Sequence, residues 1–227
     1  MSAPATWAVV PAKRLAGALR RLAPALGRPV RRELQVAMLH DVFSACAGAH
    51  GLAGLLVVTS DPEVAAQARR LAGARVIADH DPPQGMNGAV ARGLGWAEEA
   101  GAEAALVLTA DLPLALPEDV TAILTTAPPG PSAVLVPSHD GTGTNAMLLR
   151  PPRAIAPRLG PGSLARHLAL AARRGVVVER LERPRIALDI DTPRDLAALI
   201  ARGENCATTA ACARLGVAEL LAAGSAL

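Results

Sequence analysis

The sequence predicts an α/β fold in which a mostly parallel sheet is covered by helices on both faces. Short apolar runs, each closed by Pro, Gly, Ser or Asp, recur along the chain. Segments of helical length and helical apolar spacing separate them. The two kinds alternate, and such a chain brings its strands parallel through right-handed crossovers.

Thr6–Pro11 (TWAVVP) is the first expected strand. The runs at 55–59 (LLVVT), 74–78 (ARVIA), 105–109 (ALVLT) and 133–137 (AVLVP) read the same way. They are apolar throughout, as strands buried on both faces are. Between the first two, residues 30–47 place Leu34, Met38 and Val42 at i, i+4 and i+8, which makes one apolar stripe. Asp61, Pro62 and Glu63 open the next helix with a cap, a first-turn proline and an acid near the positive helix end. Helices over 86–100 and 117–125 are expected to fill the following gaps.

Past residue 137 the rhythm changes. Residues 139–145 (HDGTGTN) form a tight polar loop, and 146–149 are a further strand candidate. GPGS at 160–163 leads into a helix through Arg174. Residues 176–179 and 186–190 read as late strands, and Asp191, Thr192 and Pro193 open another helix. An Ala-rich helix is expected over 208–221. With no internal repeat and no linker, residues 1–227 read as one domain, 204–227 being a C-terminal helical extension.

Composition narrows the function. Hydrophobic residues make up 51% and charged residues 19%, ample for a buried core. The aromatic residues are Trp7, Phe43 and Trp96 alone, so Ala, Leu and Val build that core and base-stacking platforms for single-stranded nucleic acid are excluded. Net charge is +3 and Arg-dominated, Lys13 being the single lysine. No block of five or six like charges occurs, which suits a small phosphate-bearing ligand better than nucleic acid. Cys46, Cys206 and Cys212 form no C-x-x-C pattern and read as thiols of a reducing compartment. No apolar run approaches the ~18 residues of a membrane span. The expectation is a soluble, cytoplasmic protein without membrane or nucleic-acid partners.

In an open parallel sheet, ligands bind beyond the carboxyl ends of the strands. After the first strand, Lys13, Arg14, Arg20 and Arg21 surround Gly17, a loop able to hold a triphosphate or to be merely a solvated basic loop. After the fourth strand stands Asp111, followed closely by Pro113, so simple helix capping explains it poorly. Near the end stand Asp189 and Asp191, whose i, i+2 spacing puts both on one side of a strand. Converging with Asp111, they would supply the hard oxygen ligands that Mg²⁺ prefers. Asp191 reads equally as the cap of the Pro193 helix. The HDGTGTN and GPGS loops offer glycines, hydroxyls and, at Ser163, a helix start that favours an anion; two ordinary turns are the alternative. In residues 79–88 (DHDPPQGMNG), Gly85 and Asn87 could read a base edge, though by itself the stretch reads more readily as a solvent loop.

Taken together, VVPAK…RRLAP, GMNGA, LVLTADLPL, DGTGTNAMLLRPP, GPGSLARHL and ALDIDTPRDLAAL resemble the guanylyltransferases of coenzyme F420 biosynthesis over about residues 7–200. That family includes 2-phospho-L-lactate and phosphoenolpyruvate guanylyltransferases. The resemblance implies a Rossmann-like (GT-A-like) nucleotidyltransferase fold, a three-layer sandwich around a mixed, mostly parallel sheet. It implies GTP and a small phosphorylated acid as partners and Mg²⁺ as cofactor. Lys13, Arg20 and Arg21 would hold the GTP phosphates, with Gly85 and Asn87 near the nucleotide. Asp111, Asp189 and Asp191 would hold Mg²⁺, and Lys13, Arg21 and Asp111 would carry catalysis. Thr144, Gly160 and Ser163 would hold the acceptor. The acids in question are phosphoenolpyruvate, 2-phospho-L-lactate and 3-phospho-D-glycerate. The Ala- and Arg-rich composition, that of a high-GC bacterium, favours the first. The product would pass to a downstream transferase of the F420 pathway, and a homodimer is the assembly considered. The sequence departs from the family where Leu19 stands in the usual place of a second lysine; Arg20 restores the charge without the geometry.

Two other readings stay open. One is a nucleotidyltransferase of the same fold acting in molybdenum-cofactor, cytidylyl or sugar-nucleotide chemistry. The other is a non-catalytic nucleotide-binding regulator, against which the three aspartates argue.

Overall fold

A computed structural model describes residues 5–224 of the chain. In order, the elements are β1 (Thr6–Pro11), α1 (Arg28–Gly48), β2 (Leu52–Val58), α2 (Pro62–Ala72), β3 (Arg75–Ile77), α3 (Gly85–Glu99), β4 (Ala104–Leu108) and α4 (Pro117–Thr126). They continue as β5 (Ser132–Pro137), β6 (Thr144–Arg150), α5 (Ser163–Arg174), β7 (Val177–Arg180), α6 (Pro184–Ala187), α7 (Pro193–Arg202), α8 (Ala207–Arg214) and α9 (Val217–Gly224). The strands form one sheet in the order β3-β2-β1-β4-β6-β5-β7.

Every strand pairing is parallel except those of β6 with β4 and β5. The cause is the HDGTGTN turn: a connection that short joins only antiparallel neighbours, because a parallel crossover needs about a dozen residues or more. Strand residues alternate between two cores. Ala8, Val10, Leu55, Val57, Leu106, Leu108, Val134 and Leu148 meet α1, α2 and α4 on one face. Val9, Leu56, Val58, Val107, Leu135 and Met147 meet α3 and α5 on the other. These are the three layers expected. Gly93 lets α3 lie close on the sheet, since a Cβ there would stand 2.4 Å from Val9 Cγ1.

The structure corrects the expectation of a strand over 186–190. Pro184–Ala187 is a helical turn, and no strand is assigned to the residues that follow. Pro184 suits a helix start, and the side-chain amide of Asn145 donates to the carbonyls of both Ile186 and Ala187, using acceptors a strand neighbour would need. Asp189 and Asp191 therefore do not share a strand face. The expected helix over 208–221 is two helices, α8 and α9, broken at Gly216 with φ 62°. Both pack on α1 and α7 in a third apolar cluster with Leu34, Met38, Leu196 and Leu199. No helix among the described residues is long and apolar enough to cross a membrane.

Candidate active site

The site forms at the carboxyl edge of β1 and β4. After β1 the chain makes two 3-10 turns, Leu15–Gly17 and Arg20–Leu22. Asp61 and Arg31 pin the first part of this loop and its exit. Asp61 Oδ1 caps α2 by accepting from Glu63 and Val64, while its Oδ2 accepts the Leu15 N–H at 2.9 Å. Arg31 donates to the carbonyls of Ala18 at 2.8 Å and Leu26 at 3.1 Å. Leu19, the departure from the family pattern, takes a left-handed conformation (φ 48°, ψ 49°) and packs against the third apolar cluster, so it serves packing and not charge. Lys13, Arg20 and Arg21 are exposed along the loop. Arg21 reaches across to Asp191 Oδ2 at 2.7 Å; so exposed a pair contributes little stability but leaves the guanidinium beside the carboxylates.

The three aspartates meet through one backbone contact: the Ile190 N–H donates to the Asp111 carbonyl at 3.0 Å. Asp111 Oδ1 is buried without a hydrogen-bond partner. Burial pushes the Asp111 carboxyl up to about 7, and the charges of Asp189 and Asp191 push the same way, while the Thr109 hydroxyl tempers the shift. Burial also raises Asp191, with Arg21 opposing. Asp189 Oδ1 accepts from Asn145 Nδ2 at 3.1 Å and lies 3.7 Å from His139 Nδ1. Asp191 does not cap the last long helix of the domain. Thr192 does so, with Asp195 reciprocating, which leaves the Asp191 carboxylate to Arg21.

A divalent cation fits this chemistry. The donors are hard oxygens, one is orphaned, and the carboxylates repel one another. Among the described residues no group of three His, Cys, Asp or Glu side chains forms a ready-made metal cage. Mg²⁺ asks for no such cage, since it is commonly held by one or two carboxylates with waters and substrate phosphates completing its shell. Asp111 with Asp189 or Asp191 could hold it.

The second half of the site is built by the two glycine-containing loops. Asp140 shapes the first, accepting from Ser138 Oγ, the Thr142 N–H and Thr142 Oγ1, and these bonds hold its carboxyl far below the ordinary carboxylate range. The Leu164 N–H donates to the Thr142 carbonyl, which seats the first loop against the second. In the second, Gly160 (φ 113°) and Gly162 (φ 69°) take conformations that favour glycine. Ser163 begins α5, is 1% exposed, and its Oγ has no hydrogen-bond partner. Thr144 is buried, with Oγ1 3.0 Å from His167 Nδ1. Thr144, Gly160 and Ser163 thus belong to one linked structure, and Thr144 adjoins Asn145, which touches Asp189.

Asn87 has a structural partner in the fold. Its amide is engaged on both atoms by the backbone of Leu159, donating at 3.1 Å and accepting at 2.7 Å. Asn87 braces the Gly160 loop. Gly85 opens α3 at φ 74° with free space around it.

Asp61, Asn145 and His167 were not singled out as site residues from sequence. His167 stands four residues after Ser163, the same helix face, and that spacing was a usable signal. Asn145 offers its amide within the HDGTGTN loop, but its partners Ile186, Ala187 and Asp189 are distant in the chain and carry no local signal.

Residues 6–226 match the family described as guanylyl transferase CofC like. The chain is 47% identical over 197 residues to the phosphoenolpyruvate guanylyltransferase of Rubrobacter xylanophilus, covering 87% of this chain and 94% of that one. It is 43% identical to the enzyme of the same name from Conexibacter woesei, covering 86% of each. A solved structure described as a nucleotide-diphospho-sugar transferase, from Desulfovibrio desulfuricans, superposes with a TM-score of 0.75 over 96% of this chain and 97% of that one at 16% identity. A nucleotidyl transferase from Methanothermobacter superposes with a TM-score of 0.59 at 21% identity, over 88% of this chain and 99% of that one. At those identities the solved structures establish the fold: a nucleotidyltransferase sandwich.

Proposed function

The chain belongs to the CofC-like guanylyl transferase family, and from that premise we propose that it moves the guanylyl group of GTP onto a three-carbon phosphorylated acid, phosphoenolpyruvate foremost. Pyrophosphate is the second product. The name borne by the relatives from Rubrobacter and Conexibacter supports that acceptor. The guanylylated diphosphate then serves a downstream transferase of coenzyme F420 assembly in the cytoplasm.

An oxygen of the acceptor's phosphate attacks the α-phosphorus of GTP. The new P–O bond forms as the bond from the α-phosphorus to the bridging oxygen of the β-phosphate breaks. That phosphate is ionised near neutral pH, so no side chain need remove a proton. Asp111 with Asp189 or Asp191 would hold Mg²⁺, which would supply charge neutralisation at the phosphoryl oxygens. Lys13 and Arg21 lie exposed on the loop after β1, Arg21 paired with Asp191, and their charges are placed to meet the leaving pyrophosphate. Thr144, the Gly160 backbone and Ser163 hold the acid.

One observation carries the acceptor half: the Ser163 hydroxyl, buried at the head of a helix with no protein partner. A buried unpaired hydroxyl costs about 1–3 kcal/mol, and an anion that accepts from it at this positive helix end relieves that cost. Pyrophosphate release from GTP with phosphoenolpyruvate, 2-phospho-L-lactate or 3-phospho-D-glycerate tests the proposal, with ATP and CTP as nucleotide controls. Turnover with none of the acids would remove it, and turnover with one acid names the substrate.

A further inference from the structure

Resting on that reading of the acceptor site, we infer that His167 is its positioning residue, acting through one tautomer. The imidazole is 0% exposed. Its Nε2 lies 2.9 Å from the backbone N of Arg158, and its Nδ1 lies 3.0 Å from Thr144 Oγ1. A backbone N–H only donates, so Nε2 presents its lone pair. The neutral ring therefore carries its proton on Nδ1 and donates it to Thr144 Oγ1. The hydroxyl proton of Thr144 is left to point away from the ring and to donate elsewhere.

The ring thus joins the three pieces that would hold the acid. It sits on α5, one turn beyond Ser163. It fixes the hydroxyl at the start of β6, and it anchors the segment that leads to Gly160. Asn87 braces the same segment from α3 through Leu159, and Arg166 donates to the carbonyls of Arg158 and Gly160. The loop is held before substrate arrives, and preorganisation of this kind lowers the ordering cost of binding. His167 itself touches no reacting atom. Burial and the Arg166 charge both keep the ring neutral, as this tautomer requires.

Steady-state pyrophosphate release on the full chain, with GTP and phosphoenolpyruvate varied in turn, tests the inference. His167→Asn keeps a donor near the Nδ1 place but loses the acceptor for Arg158. His167→Gln keeps an acceptor near the Nε2 place but loses the donor to Thr144. With His167→Asn, the KM of the acid should rise about tenfold while that of GTP stays within about twofold, the equivalent of one buried hydrogen bond. In the ligand-free protein, the Arg158 amide should exchange hydrogen markedly faster in His167→Asn than in His167→Gln. His167→Gln should resemble Thr144→Val, and combining the two should add little. Should His167→Asn not fold, His167→Gln and Thr144→Val carry the same comparison of KM values. Equal changes in both KM values, or lost stability with both unchanged, would reduce His167 to a core residue and overturn the inference. If the wild-type chain turns over none of the acids, the functional reading fails instead, while unchanged Arg158 exchange in His167→Asn would still count against His167 by itself.

Discussion

The N–H of Ile190 donates to the carbonyl of Asp111 at 3.0 Å. Through this bond the segment bearing Asp189 and Asp191 is laid beside the end of β4, where burial raises the Asp111 carboxyl and those two charges push the same way.

Asp111→Asn should lower turnover at least ~100-fold, because the metal would lose a charged ligand. The fold should survive, since a neutral amide of the same shape removes repulsion with Asp189 and Asp191. Magnesium should raise the melting temperature of the wild type but not of the variant. Full activity in Asp111→Asn, or in excess chelator, would remove the metal from the site.

Asn145→Ala should destabilise by about 1–3 kcal/mol, because the Ile186 carbonyl loses a buried donor while that of Ala187 keeps the His139 N–H. Asp189 loses its orienting contact in the same variant. Turnover should fall with stability, and denaturant unfolding alongside kinetics checks both. A change below about 0.5 kcal/mol would show that water replaces the amide.

Acid should weaken the protein through His167. Its folded pKa is lowered from 6.5 to about 4, by burial first and by the Arg166 charge second. The unfolded chain then binds a proton that the folded chain refuses between those values. Stability is present in full above about pH 6.5 and is lost as pH falls towards 4, by on the order of 3 kcal/mol. Urea unfolding at a series of pH values should show that slope, and His167→Asn should flatten it.

Asp41→Ala should loosen the C-terminal helices. Asp41 accepts from the N–H groups of Ala207 and Thr208 and from Thr208 Oγ1, so one α1 side chain caps α8. The expected loss is about 1–3 kcal/mol, with faster proteolysis after residue 203 and KM values for both substrates unchanged. A folded chain truncated near residue 203 that has no turnover would show instead that this extension serves the chemistry.

Much of the fold was legible because it rests on local signals. The apolar runs of β1, β2, β4 and β5 and the Asp61-Pro62 helix start need no distant partner to be read. The aspartates and the loop residues Thr144, Gly160 and Ser163 stood out as polar groups placed where a parallel sheet binds its ligands. The run IALDI was misread because its apolar character suits a strand, while its backbone acceptors had already gone to Asn145, a competition invisible along the chain. The bracing of the Gly160 loop by Asn87 is likewise invisible along the chain, because Leu159 is distant in sequence. Periodicity, capping and turn chemistry act between near neighbours and so are written in the sequence. The tautomer of His167, the meeting of Asp111 with Ile190 and the solitary Ser163 hydroxyl depend on which groups the folded chain sets within about 3 Å of one another, and only tertiary structure decides that.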